Sequence, residues 1–455
     1  MRLTLRLLEA YLRVNELTHC KDLKYSATGS GLMEDVVGKG FKEVKPIDTV
    51  IKEVLALVKH SPSATEVDLI NAVGKYLAED VYSSVDVPPF NRSAVDGYAV
   101  RSIDTFGSSP TNPAILRIKG YLPVGEDPGK YVVNQGEAVE IATGAPLPPG
   151  ADAVVMYENT GRRGDYVEVY RPVAPMDNVS RIGEDVAKGE LIFRRGTLIK
   201  PWDLGVLASM GIVKVKVYEP KVMLIVTGNE LVEVEDALKG GLQPGKVINS
   251  TRFVLTAMLK SLGCAVDYVK LPDDEAVIRD HVAKALIDHD AVITTGGASV
   301  GRIDYTIRAV AGLKPEYLNH GLAIRPGKPN SVAVKDGKPI FMLSGFPVAS
   351  LTGFEVLVKP VLLHMMNAVD EPRPRIKGIL TRRVATPINT RSFVRVRVYL
   401  GKDGRIYVEP LALTGSGVLT TLVKGNGILV VPENREGYDE GDEVEVELIR
   451  PIFTN

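Results

Sequence analysis

TTGGASVGRIDY, residues 294–305, separates the apolar run 291–293 from TIRAVAG, a short helical pattern. Two adjacent glycines, Gly296 and Gly297, and a third at Gly301 stand where a strand hands over to a helix. Glycine lets backbone approach a ligand closely, and the free N–H groups of a following helix attract an anion. No Gly-Lys-Ser/Thr follows and G-x-G-x-x-G is absent, which excludes the P-loop and the dinucleotide fingerprint. Taken alone, the loop fits an oxyanion site or a tight turn equally well.

The text on either side of this loop alternates strand and helix patterns from 220 to about 368. KVMLIVTG, AVDYVKL and AVITTGG read as strands. STRFVLTAMLKSLG reads as a helix with Ser250 as N-cap and Gly263 as C-cap. DDEAVIRDHVAKALID reads as a second helix, SVAVKDGKPIFML as a hairpin turning at Asp336-Gly337, and 348–366 as a long apolar helix. Such alternation predicts a mainly parallel sheet covered on both faces, with ligands beyond the carboxyl ends of its strands. Three strands end there in glycine turns: IVTGNE (225–230), ITTGGASVG (293–301) and MLSGFPVAS (342–350).

Acidic residues fall at the same ends: Glu230, Asp273, Asp274 and Asp304. Carboxylates facing a phosphate repel it unless a divalent cation lies between them, and Mg²⁺ favours one or two carboxylates plus phosphate oxygens. Equally, Asp273, Asp274 and Asp304 are placed to cap helices. A cationic counterpart is LAIRPGKPNS (322–331), where prolines stiffen a turn bearing Arg325 and Lys328. It fits an oxyanion or an ordinary solvated basic turn.

Upstream, 47–61 has helical periodicity, and 65–81 shows an apolar helical face interrupted by Gly74. From 90 to about 184 come short β-like runs between turns such as PLPPGAD and GRRGD, and 183–220 reads as hairpins with one short helix around 202–210. From 371 to the end the pattern is β again. MRLTLRLLEAYLRV is broken by Arg2, Arg6 and Arg13, so it reads as an amphipathic helix or an extension rather than a signal peptide. A linker-like SATGSGLMEDVVGKG follows it, with Met33 a candidate start.

Composition sets outer bounds. The 455 residues suggest about three domains, and 45% hydrophobic with 24% charged residues is ordinary for a soluble globular chain. A formal net charge of -1 gives no reason to expect nucleic acid. No apolar stretch was found to reach the ~18 residues that span a bilayer, so no membrane is expected. Cys20 and Cys264 belong to no C-x-x-C motif, which fits a reducing, cytoplasmic compartment.

TTGGASVGRIDY, IVTGNE and LAIRPGKP together resemble the molybdopterin-binding fold of molybdenum cofactor biosynthesis proteins. VPPFNRSAVDGYAV (87–100), IATGAPLPPGADAVV (141–155) and RIGEDVAKGELIFRRGT (181–197) resemble motifs of the molybdopterin molybdenumtransferase family, the molybdenum insertases also found in gephyrin-type proteins. The likeness covers roughly 44–455. It implies a multidomain α/β plus β fold: a molybdopterin-binding α/β domain (44–63 and 220–368), an elongated linker domain (64–82 and 185–219), an inserted β domain (83–184) and a C-terminal β-barrel domain (369–455). Residues 1–43 form an extension of unassigned role.

The resemblance further implies insertion of molybdate or tungstate into adenylylated molybdopterin, with Mg²⁺ and release of AMP. Carried over by motif, Asp96, Thr143, Glu230 and Asp304 take catalytic positions, and Glu230, Asp273 and Asp304 metal positions. Gly296, Gly297 and Ser299 suit the phosphate, Arg325 and Lys328 an oxyanion, and Pro329 and Pro347 the substrate. RSFVRV and TGSGVL place Arg395 and Ser416 near the oxyanion. Asp96 belongs to a different domain from the glycine loops, so the family's arrangement, a homodimer with shared active sites, is expected. Contacts with the adenylyltransferase that makes the substrate and with apo-molybdoenzymes are expected partners.

The chain departs from the family pattern at Ser344 and Phe346, where the first Pro and the Asn of Gly-Leu-Pro-Gly-Asn-Pro usually stand. Thr251 replaces a common Asn, RSFVRV lacks the usual Glu, and Asn91-Arg92 replaces Asp-Asn. A different class of function is a pterin-binding scaffold without turnover. The related adenylyltransferase is a single α/β unit, which the inserted β domain and C-terminal barrel disfavour, and the DGYA and TGAPLPPGAD motifs are not expected in related nucleotide-hydrolysing enzymes.

Overall fold

The computed structural model describes residues 44–296, 304–412 and 415–454. The expected N-terminal extension and its linker lie outside them.

The α/β region is built on a six-stranded sheet ordered Ala265–Leu271, Lys221–Thr227, Ala291–Thr295, Lys338–Leu343, Ser331–Lys335, Tyr317–Asn319. The first four strands are parallel and the last two join antiparallel. Strands covered on both faces are apolar without alternation, and Leu224, Ile225, Val226, Val292 and Ile293 are all buried. The predicted hairpin turns at Asp336 (φ 52°) and Gly337 (φ 72°), the paired left-handed residues that match strand twist. Helix Ile47–Leu57 supplies Ile47, Val50 and Val54 to this core, far ahead of the sheet in sequence. A fully buried side chain such as Leu224 or Phe341 contributes roughly 1.5–3 kcal/mol of burial energy.

The apolar 348–366 stretch forms a continuous helical run, Pro347–Met365. By length and composition it could cross a membrane, which corrects the expectation that no stretch qualifies. Here its apolar side chains, Phe354, Leu357, Val361 and Leu362 among them, are packed inside the core. Its middle turn, Phe354–Val358, widens to a π-helix just before Pro360. Proline lacks an N–H and crowds the carbonyl four residues back, and a widened turn relieves both problems.

Two local expectations are overturned. The 65–81 stretch is not helical: Ala64–Asp68 is a strand and Leu69–Asn71 a 3-10 turn. The strand pairs with Lys214–Tyr218 so that Glu66 faces Lys216 and Asp68 faces Lys214. Cross-strand charge pairing and Gly74 at φ 80° outweigh a weak helical periodicity. The N-cap of helix Ser250–Ser261 is Asn249, whose side chain accepts from the Arg252 N–H (3.3 Å), not Ser250.

Residues 97–169 contain a second six-stranded sheet with small cores around Val155, Val167, Val139 and Ile141. Leu77, Ile199, Leu207 and Val217 make a separate core, drawn from the segments on either side of that sheet in sequence. At the C-terminus five strands close a ring: Arg391–Leu400, Ile406–Ala412, Arg375–Leu380, Glu443–Leu448, Gly427–Val431 and back to Arg391–Leu400. Closure leaves no edge strand to aggregate. The barrel meets the α/β region where Ile324–Arg325 adds in parallel to Arg391 and Ser392. Arg391 clamps the junction, gripping both Asp48 oxygens (2.9 and 2.6 Å) and Glu433 (2.9 Å).

Candidate functional site

The clamp brings the loop after Ile324 against the barrel, and a cleft opens there in two lobes. One, of ≈ 530 Å³, is lined by Arg325, Lys328, Arg395 and Ser416. The other, of ≈ 500 Å³, is lined by Glu230, Thr251, Gly296, Gly345 and Pro347. Both lobes share Pro329, Ser344 and Phe346. Buried Asn330 joins the loops that carry these three, accepting from the Ser344 N–H (2.8 Å) and donating to the Ala349 carbonyl (2.8 Å).

The glycine turn of the opening stretch needs its glycine. Gly296 has φ 96°, and a Cβ there would lie 2.1 Å from the Thr227 carbonyl oxygen. Neighbouring Thr227 Oγ1 is buried without a hydrogen-bond partner. A buried hydroxyl left unpaired is costly, and a ligand oxygen in this lobe would satisfy it. Thr227 stands inside IVTGNE, but nothing in the sequence distinguishes it from an ordinary strand-end threonine. Gly297 and Ser299 lie outside the described residues.

The carboxylates divide their duties. Asp274, not Asp273, caps helix Glu275–Asp288, accepting from Ala276 and Val277 N–H. Asp273 Oδ2 instead accepts from the Asn229 N–H (3.0 Å), tying its turn to the loop of Glu230. Asp304 does cap its helix through Oδ1 and the Ile307 N–H (3.1 Å). Its second oxygen, Oδ2, is buried, makes no hydrogen bond, and lies 3.4 Å from His320 Nε2. Two residues on, Thr306 Oγ1 donates to the Gly296 carbonyl (3.1 Å), which ties the start of this helix to the glycine turn. Glu230 is exposed in the cleft, its carboxylate folded back over Gly228.

Arg395 is only 5% exposed. Its guanidinium reaches Thr421 Oγ1 (3.3 Å) and the carbonyls of Phe393 and Gly415 (3.4 Å each), with no carboxylate among those partners. Burial holds its pKa below the usual arginine value. A buried cation with only neutral acceptors favours a bound anion. Arg325 and Lys328 are exposed on the same wall.

Asp96 and Thr143 meet each other but not this cleft. Asp96 Oδ1 accepts from the Thr143 N–H (2.8 Å), and both residues are exposed in the 97–169 sheet region. The cavity beside them is lined by Phe90, Val124, Gly144 and the 146–151 turn, and by none of the cleft residues.

The fit of a divalent ion can be judged from these donors. Among the described residues no three His, Cys, Asp or Glu side chains converge as a closed cage. Glu230, exposed in the phosphate lobe, and the Asp304 oxygen that makes no hydrogen bond are carboxylate donors of the kind that suits an ion held by one or two carboxylates and completed by phosphate and water.

Comparison with known proteins agrees with this architecture. Residues 45–211 match the MoeA N-terminal region (domain I and II), 223–364 a probable molybdopterin binding domain, and 377–449 the MoeA C-terminal region (domain IV). A putative molybdopterin biosynthesis protein of Methanocaldococcus jannaschii is 38% identical over 418 residues, 90% of this chain and 99% of its own. A molybdopterin molybdenumtransferase of Staphylococcus aureus is 35% identical over 88% of this chain and 94% of its own. The crystal structure of the MoeA protein from Pyrococcus horikoshii superposes with a TM-score of 0.75 at 34% identity, covering 89% of this chain and 100% of that one. The chain belongs to the MoeA family of molybdopterin molybdenumtransferases, transferases of molybdenum cofactor biosynthesis.

Proposed function

We propose that this chain inserts molybdate or tungstate into adenylylated molybdopterin and releases AMP. The observation that carries the reading is the two-lobed cleft itself. One lobe presents the buried Arg395 guanidinium with Arg325, Lys328 and Ser416, donors suited to a tetrahedral oxyanion. The other presents Gly296, the unpaired Thr227 hydroxyl and Glu230, suited to a phosphate with its counter-ion. Shared residues between them keep oxyanion and phosphoanhydride apart but adjacent.

Glu230 and Asp304, with Asp273 behind the first loop, would hold Mg²⁺. Such an ion, when bound, neutralises the pyrophosphate and polarises its anhydride. Asp304 is well placed for this because helix capping fixes one oxygen and leaves the other committed to nothing else by hydrogen bonding. Arg395 and Lys328 would hold the oxyanion while the two dithiolene sulfurs bind its metal, their two protons leaving with one displaced oxide as water; a water molecule attacks the anhydride phosphorus, and AMP departs as the other phosphate stays on the pterin.

Asp96 and Thr143 enter this scheme from a partner copy. We infer a cytoplasmic homodimer in which the β domain of each protomer completes the cleft of the other. Contacts with the adenylyltransferase and with apo-molybdoenzymes follow from the same reading.

The test is a single-turnover assay with adenylylated molybdopterin and Mg²⁺. AMP should appear when molybdate is added. Tight pterin binding with no AMP release would leave only the scaffold reading.

A further inference from the structure

Phe346 is 61% exposed, yet it lies inside the cleft and lines both lobes. Its backbone is held firmly. Its N–H donates to Ser344 Oγ (3.3 Å), and its carbonyl accepts from the Ser350 N–H (2.9 Å) at the start of helix Pro347–Gly353. One edge of the ring rests beside Gly417, where an added Cβ would come within 3.5 Å of it. The phosphate lobe that Phe346 borders is also lined by Val247 and Ile248, both exposed. The phosphate lobe therefore has an apolar side, with Phe346 where it joins the other lobe.

The polar groups around it can hold phosphate and oxyanion, but they provide no surface for the flat part of the substrate. A rigid aromatic face in water is stabilised when a planar heteroaromatic covers it. We propose that Phe346 is a specificity-determining stacking platform for a planar heteroaromatic ring of the substrate, pterin or adenine, with Val247 and Ile248 as the facing wall. The inference rests on the adenylylated-pterin reading above.

Trp202 is the single tryptophan and lies 73% exposed outside the cleft. A Trp202→Phe, Phe346→Trp double variant therefore places the sole indole on the platform. Its emission is followed against adenylylated molybdopterin, molybdopterin and AMP, with calorimetry on the same protein reporting binding independently. Quenching that saturates with calorimetric occupancy is expected. Quenching by molybdopterin assigns the pterin, and quenching by AMP assigns the adenine. Phe346→Ala should weaken binding of adenylylated molybdopterin about tenfold, the effect of losing one aromatic–base stack, raising KM while kcat holds. Calorimetric binding with unchanged emission, and a Phe346→Ala affinity within twofold of the parent, would overturn the platform and leave the pterin reading standing. No calorimetric binding to the unaltered chain would overturn both.

Discussion

The cleft between sheet and barrel and the turn bearing Asp96 and Thr143 are built in opposite ways. In the cleft, loops from Thr227 to Ser416 are drawn to one place by a parallel sheet, the Arg391 clamp and Asn330. Polar groups are short of hydrogen bonds there: Thr227 Oγ1 makes none, nor does Asp304 Oδ2, two residues from the Thr306 that bonds Gly296, and the partners described for Arg395 are neutral oxygens. At the Asp96 turn the carboxylate is already satisfied by the Thr143 N–H and faces solvent. The first region is organised to receive charged ligands. The second presents a prearranged edge that needs something else to face. The proposed dimer would bring these two regions together.

The strongest challenge to this contrast is Asp304→Asn. Asn caps a helix as well as Asp does, so the fold should survive while the carboxylate charge is lost. AMP release should fall about a hundredfold, with Tm nearly unchanged. An Asp304→Asn variant at parental rate would place the chemistry elsewhere.

Complementation sharpens the contrast next. Asp96→Ala and Asp304→Asn homodimers should each be inactive. Subunit exchange between them should restore about a quarter of parental activity, because half the dimers are mixed and each carries one intact site. If both residues served the same protomer's cleft, mixing would restore nothing.

A smaller effect is expected at Arg395. Arg395→Gln removes charge-assisted hydrogen bonds, so the molybdate KM should rise roughly tenfold or more, while pterin affinity stays close to parental. Equal losses for both ligands would merge the two lobes into one undivided pocket.

The least effect on activity belongs to Asp290, which starts a strand at the other end of the sheet from the glycine loops. Burial would raise its pKa, but hydrogen bonds from His60 and from the Lys221 and Ser63 N–H groups prevail and hold it below the usual carboxylate value. A lowered folded pKa adds stability at pH above the unfolded value of about 3.9, and that stability is lost as pH falls through the folded value. Asp290→Asn should therefore cost about 1–2 kcal/mol at neutral pH. The gap should close below about pH 4, and kcat should be unaffected throughout.

Much of the α/β region was legible because its signals are local. Strand-length apolar runs, glycine turns and Asp336-Gly337 each act over a few residues, so Glu230, Gly296 and Asp273 could be placed at strand ends from the text. The 65–81 stretch was misread because its partner strand, Lys214–Tyr218, lies far downstream. Its short alternation was masked by chance helical spacing. The choice between Asp273 and Asp274 as helix cap turned on a hydrogen bond to Asn229, a contact between separate loops. The resemblance pointed to Arg395, but its burial without a carboxylate partner emerges only once the barrel closes around it. Phe346 stood out as an unusual residue, though its position between two lobes depends on the barrel docking beside Gly417.

The most direct test is a crystal of the protein with adenylylated molybdopterin, soaked in tungstate and read by the anomalous signal of the metal. The account predicts one strong peak per cleft within hydrogen-bonding reach of Arg395 and Lys328, with the pyrophosphate beside Gly296 and Asp304. A peak remote from both cations, or a pyrophosphate bound away from the glycine turn, would contradict it.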